Sequence, residues 1–134
     1  ERYCLWLVGC EPSELRSMPL VLERVNKCRE DRIKANTEES LKLANTPTLF
    51  REQINPKSYL IIPCVSSERR RYIPIGFLDD KTIPVMGTLI IPNADLYDFG
   101  ILTSNVHMSW TRTVCGRLKS DYRYSKDRTY ECKL

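Results

Sequence analysis

The sequence predicts an α+β fold, a mixed or antiparallel sheet flanked by helices, on three observations. Short apolar runs lie between turn signals, as at residues 59–65 (YLIIPCV) and 88–91 (TLII). Two stretches carry helical spacing instead, from Met18 to Cys28 and from Ser104 to Cys115. The eight prolines outnumber the five glycines, which favours many short elements over a few long helices. At 134 residues the chain has the size of one domain, so 1–134 is read as a single unit.

Residues 3–9 (YCLWLVG) are apolar and too short for a helix, so a buried strand is expected. Pro12-Ser13-Glu14 signals a helix start, and Ser17 ahead of Pro19 signals another. Met18, Val21, Leu22, Val25 and Cys28 then form one apolar stripe, with Glu23/Lys27 and Glu30/Lys34 spaced to pair. Residues 35–57 are polar, with a short helix expected around 38–44 and a loop after it. A strand follows at 59–65, where Pro63 suggests an edge or a bulge.

Ser66-Ser67-Glu68 reads as a turn, and 70–78 (RRYIPIGFL) as the second strand of a hairpin. Asp79-Asp80-Lys81 turns again, before strands at 83–86 and 88–91. Pro92-Asn93 ends that run, and helices are expected at 96–102 and 104–115. Ser104 or Asn105 would cap the second helix and Gly116 would stop it. A polar, basic tail spans 117–125, and 128–132 is read as a closing strand.

Composition narrows the chemistry. The formal charge of +4, from 21 Lys+Arg against 17 Asp+Glu, does not by itself indicate nucleic acid. Its distribution is more informative. Residues 112–128 hold six basic side chains (Arg112, Arg117, Lys119, Arg123, Lys126, Arg128) against Asp121 and Asp127, and Arg69-Arg70-Arg71 forms a second cluster. Six cysteines could mark a secreted disulfide framework. However, four of them (Cys4, Cys10, Cys64, Cys115) lie in apolar or helical stretches, where a free thiol behaves as a small hydrophobe, so a reducing cytoplasm is expected. No Cys-x-x-Cys occurs and His107 is the only histidine, which argues against zinc. No apolar run approaches the roughly 20 residues of a membrane span. The abrupt start at Glu1-Arg2 is read as a fragment boundary.

No nucleotide loop, hydrolase elbow or zincin motif is present. The Gly-containing cofactor loop and the Asn/Asp-Pro-Pro-Tyr/Phe motif of an amino-methyltransferase are also missing. Asp79-Asp80-Lys81 has the residue types of a metal nuclease without the spacing, and His107 with Cys115 lacks an activating context. No catalytic residue is assigned. Two segments suit DNA instead. In 66–72 (SSERRRY), strand alternation is expected to put Glu68 and Arg70 on one face and Arg69 and Arg71 on the other. An acid and a guanidinium side by side can read a base pair, Arg on guanine and Glu on cytosine, although a solvated, self-paired turn is the plain alternative. In 116–125 (GRLKSDYRYS) basic residues alternate with Tyr and Ser, all of which donate to phosphate; an exposed basic loop is the alternative there.

These segments carry a resemblance. Residues 99–126 (FGILTSNVHMSWTRTVCGRLKSDYRYSK) resemble the target-recognition region of MmeI-like bacterial restriction-modification enzymes. Residues 2–15 (RYCLWLVGCEPSEL), 65–78 (VSSERRRYIPIGFL) and 90–102 (IIPNADLYDFGIL) match in order. The resemblance implies recognition of double-stranded DNA without catalysis, beside an upstream N6-adenine methyltransferase domain that binds S-adenosylmethionine, in some members with a nuclease. It assigns base reading to Ser67, Glu68, Arg69, Arg70 and Arg71. It assigns backbone contacts to Asn105, His107, Arg117, Lys119, Ser120, Arg123, Tyr124 and Ser125. Members usually continue into Phe-Pro-Trp-Pro, whereas here Thr129-Tyr130 leads to Glu131-Cys132-Lys133-Leu134, so weaker binding in isolation is expected. The competing expectation is a scaffold module, marked by Tyr3, Trp6 or Trp110 in an exposed apolar patch.

Overall fold

A computed structural model describes residues 3–125, which fall into two compact units divided between Gln53 and Ile54. The closing strand expected at 128–132 lies outside the described residues, as do Lys126 and Arg128.

Unit 1 is helical. α1 (Pro12–Ser17) and α2 (Pro19–Lys34) start at prolines in the first helical turn, as predicted. They are two helices because Pro19 restricts the backbone before it, and Met18 leaves the helical region at φ −114°, ψ 76°. The predicted stripe is turned inward, with Val25 buried and Val21, Leu22 and Cys28 half-buried. Lys27 meets Glu23 at 2.6 Å, whereas Lys34 reaches Asp31 at 3.7 Å rather than Glu30, since i+3 and i+4 neighbours are equally close on a helix. α3 (Glu38–Ala44) is capped by Thr37, whose hydroxyl accepts from the Ser40 N–H. Beyond it, the Arg32 guanidinium donates to the carbonyls of Leu43, Thr46 and Leu49 at 2.8, 3.1 and 2.8 Å. One cation thus ties down the turns after α3: the Leu43 and Thr46 carbonyls also accept the Thr46 and Leu49 N–H groups, and the Leu49 carbonyl takes Arg32 as its donor.

Residues 3–9 are not a strand. Unit 1 has no other strand among its described residues, and a lone extended segment cannot satisfy its backbone. The segment runs as a coil instead, with Trp6 stacked on Phe50 at 5.8 Å and Tyr3, Leu5 and Val8 exposed.

Unit 2 holds two three-stranded sheets and two helices, and every strand pair is antiparallel. The first sheet runs β3 (Gly76–Asp79), β1 (Ser58–Pro63), β4 (Thr88–Pro92). β1 is therefore central, not an edge. Its proline is tolerated because Pro63 is the last residue, opposite Thr88, where β3 has already ended at the Ile61–Gly76 pair. Tyr59, Leu60 and Ile62 are fully buried, so the strand reads as a continuous apolar run. Residues 83–86 are a loop rather than a strand, with Val85 and Met86 exposed ahead of Gly87 at φ +92°.

The second sheet runs β2 (Val65–Ser66), β6 (Asp121–Arg123), β5 (Gly116–Leu118). The predicted hairpin strand shrinks to β3, because residues 67–75 leave the first sheet. The expected polar tail at 117–125 is largely a β-hairpin. Between the sheets, Cys64 donates its N–H to the Gly87 carbonyl and accepts from the Tyr124 N–H, both at 2.8 Å. α4 (Leu96–Leu102) carries a reciprocal Asp95/Asp98 capping box, and α5 (Asn105–Val114) is capped by Ser104 through the His107 N–H. α5 ends as Cys115 turns extended, so Gly116 opens β5 instead of stopping the helix. Ile62, Ile73, Met108, Cys115, Tyr122 and Tyr124 form the core beneath this helix.

Candidate nucleic-acid interface

Charge divides unevenly along the chain. Residues 1–53 hold nine basic and nine acidic side chains; residues 54–134 hold twelve and eight, so the whole excess of +4 falls in the second unit. The four ion pairs among the described residues all lie in unit 1. No described cation of unit 2 is neutralised by an ion pair.

Two segments fifty residues apart meet here. In the second sheet Val65 pairs with Arg123 and Ser66 with Tyr122, so the chain leaves β2 into the 67–70 turn directly beside the β5–β6 hairpin. The turn closes with the Arg70 N–H on the Ser67 carbonyl at 3.1 Å and the Arg69 N–H on Ser67 Oγ at 3.3 Å. The Glu68 N–H donates to Asp121 Oδ1 at 3.3 Å. Because 70–75 is not a strand, alternation cannot place Glu68 and Arg70 on one face. Glu68 instead lies within a tight turn that Arg70 closes, and Glu68, Arg69, Arg70 and Arg71 are all exposed. α5 braces the residues after the turn: the Tyr72 hydroxyl donates to Asn105 Oδ1 at 2.9 Å, and Arg112 donates to the Arg71 carbonyl at 3.2 Å.

On the hairpin, Arg117 faces Tyr122 across the strands, its guanidinium 4.1 Å from the ring centre, and donates to the Ser120 carbonyl at 3.2 Å. That fixes a long side chain that is still exposed. Lys119 occupies the turn at φ +57°, a left-handed conformation uncommon outside glycine, and is exposed with Ser120 and Arg123.

The expected backbone contacts separate. Arg117, Lys119, Ser120 and Arg123 share one exposed hairpin. Tyr124 is 1% exposed and its hydroxyl lies 2.8 Å from His107 Nε2, so it has almost no surface to offer a phosphate. Burial lowers the His107 pKa below its ordinary value, keeping the ring neutral near pH 7. Asn105 is exposed with its carbonyl engaged by Tyr72, and Ser125 is half-buried. Sequence reasoning missed Asp121, Arg112 and Tyr122, whose roles arise only from strand register and helix packing.

The other chemical readings meet ordinary structure. Asp79-Asp80-Lys81 is the turn after β3, closed by the Lys81 N–H on Asp79 Oδ1 at 3.1 Å. Among the described residues no His/Cys/Asp/Glu group is arranged to hold a metal, and the described cysteines are thiols. No helix among them is long and apolar enough to cross a membrane.

An exposed turn beside a hairpin whose cations make no ion pair among the described residues is the surface of a module that meets a polyanion. Comparison with known proteins narrows this class. The family profile of the MmeI target recognition domain matches residues 1–132. DNA methyltransferase A of Bacillus subtilis (strain 168) is 42% identical over 130 residues, 96% of this chain and 15% of that protein. The solved structure of the Type IIL restriction-modification enzyme MmeI in complex with DNA is similar over 95% of this chain and 17% of its own. That match has 46% identity and a TM-score of 0.89. The chain belongs to the MmeI target recognition domain family. It spans less than a fifth of the length of either relative.

Proposed function

We propose that this chain recognises a specific double-stranded DNA sequence on behalf of a DNA methyltransferase. The observation that carries this reading is the meeting of the 67–71 turn with the 117–123 hairpin on the one unit that holds the excess positive charge. Glu68 and Arg70, with Ser67, Arg69 and Arg71 around them, present donors and an acceptor to base edges. Arg117, Lys119, Ser120 and Arg123 hold phosphates from the hairpin, and Asn105 and Ser125 add further backbone contacts. His107 and Tyr124 act from behind, bonding α5 to the end of the hairpin strand.

The parent we infer is a bacterial, cytoplasmic, adenine-specific enzyme that takes its methyl group from S-adenosylmethionine, with a nuclease in some relatives. In this reading the present chain carries neither cofactor nor catalytic group. The test is selection from a randomised duplex library followed by binding measurements. Enrichment of one short sequence, with affinity falling steeply as salt rises, supports the reading; a flat selection with salt-independent affinity defeats it.

A second reading rests on a specific observation. Val106 (77% exposed) and Trp110 (40%) sit one turn apart on α5, an exposed apolar pair. It fits a surface that packs on an adjoining domain, and it complements DNA recognition. A Trp110→Ala variant that keeps DNA selectivity but loses methylation in the full-length parent would support it, whereas unchanged methylation would remove it.

A further inference from the structure

Among the acids of unit 2, Asp121 has an unusual position. It closes the β5–β6 hairpin opposite Leu118 and lies next to the Lys119–Ser120 turn, amid exposed Arg117, Lys119 and Arg123. Its carboxylate nevertheless makes no ion pair among the described residues. It accepts a backbone N–H instead, that of Glu68, 53 residues away.

Strand register explains why the bond falls there. The β2–β6 ladder pairs Val65 with Arg123 and Ser66 with Tyr122, and the same register carried one step further sets Ser67 opposite Asp121. At that point the chain turns, and the backbone ladder stops. The Asp121 side chain takes the place of the missing backbone acceptor and extends the pairing into the turn. A negative charge on a phosphate-facing surface weakens DNA binding generally, so an acid here opposes the field of its neighbours.

Building on the DNA-reading function proposed above, we propose that Asp121 is a positioning residue for base recognition. Its carboxylate fixes the Ser67–Arg70 turn to the hairpin by one hydrogen bond, gaining sequence discrimination while lowering general DNA affinity. The residue need not touch DNA to act.

Two conservative variants separate acceptor from charge. Asp121→Asn keeps the Oδ1 acceptor and removes the charge. Asp121→Glu keeps the charge and displaces the acceptor by a methylene. Binding of each is measured to the duplex enriched by the wild-type chain and to bulk random duplex, and the exchange rate of the Glu68 amide is followed by NMR. The Asn variant should bind bulk DNA a few-fold more tightly and keep the wild-type ratio of selected to bulk affinity. The Glu variant should bind bulk DNA as the wild type does, lose up to about tenfold of that ratio, and exchange the Glu68 amide faster. The proposal is overturned if the Glu variant keeps both the ratio and the amide protection, or if the Asn variant loses as much of the ratio as the Glu variant. If the wild type enriches no sequence, the DNA-reading function fails, and base positioning by Asp121 fails with it. Amide exchange then still decides, separately, whether Asp121 holds the turn.

Discussion

In residues 1–53, nine cations face nine acids, four cations are held in ion pairs, and Arg32 is bound to three carbonyls. In residues 54–134, twelve face eight and no described cation is in an ion pair. Exposed ion pairs contribute little stability, about 0–1 kcal/mol each, so pairing in the first unit chiefly cancels its field. The second unit keeps its field and stiffens the side chains that bear it, stacking Arg117 on Tyr122 and fixing the Arg71 backbone with Arg112. The first unit uses charge to close its own structure. The second leaves charge available to an anionic partner.

Substitutions can break this contrast. The largest expected effect is on the first unit. Arg32→Ala removes three charge-assisted hydrogen bonds and leaves the Leu49 carbonyl without its donor, and should cost about 3 kcal/mol in denaturant unfolding, with the DNA salt dependence unchanged. Arg70→Ala should relax preference at one base pair by about 2 kcal/mol, measured by repeating the duplex selection, with other positions kept. Lys119→Ala should weaken binding to every sequence alike, by a few-fold, and lower the salt slope by about one in titrations. The smallest effect is on pH. His107 has a pKa depressed by burial, so the unfolded chain takes up a proton first as pH falls. Stability should be level above the ordinary imidazole value near 6.5 and decline below it, and His107→Gln should flatten that decline in thermal melts.

Helices were legible where local chemistry decides them. Pro12, Pro19 and Ser104 mark starts that the structure keeps, and periodicity at Val21, Leu22 and Val25 gives the inward face of α2. Strands were less legible because pairing is non-local. Residues 3–9 look like a strand but have no strand to pair with, whereas 117–123 look like a polar loop but pair within a sheet because Tyr122 has a core to enter. The two candidate DNA segments were visible as composition. Their meeting was not, since it depends on β2 leaving the first sheet after Cys64 to pair with β6. Tyr124 is the reverse case: an aromatic hydroxyl in a basic run suggested a phosphate donor, and its ring is buried with the hydroxyl on His107.

The most direct test is the salt dependence of DNA affinity for three chains: wild type, Lys119→Ala/Arg123→Ala, and a first-unit control, Arg24→Ala/Arg29→Ala. Titrated from about 50 to 200 mM salt, the wild type should show a linear fall of log affinity with log salt. The hairpin variant should lose about two from the slope and the control almost nothing. Equal losses from both variants, or a slope the hairpin variant leaves intact, would contradict the assignment of DNA binding to the second unit.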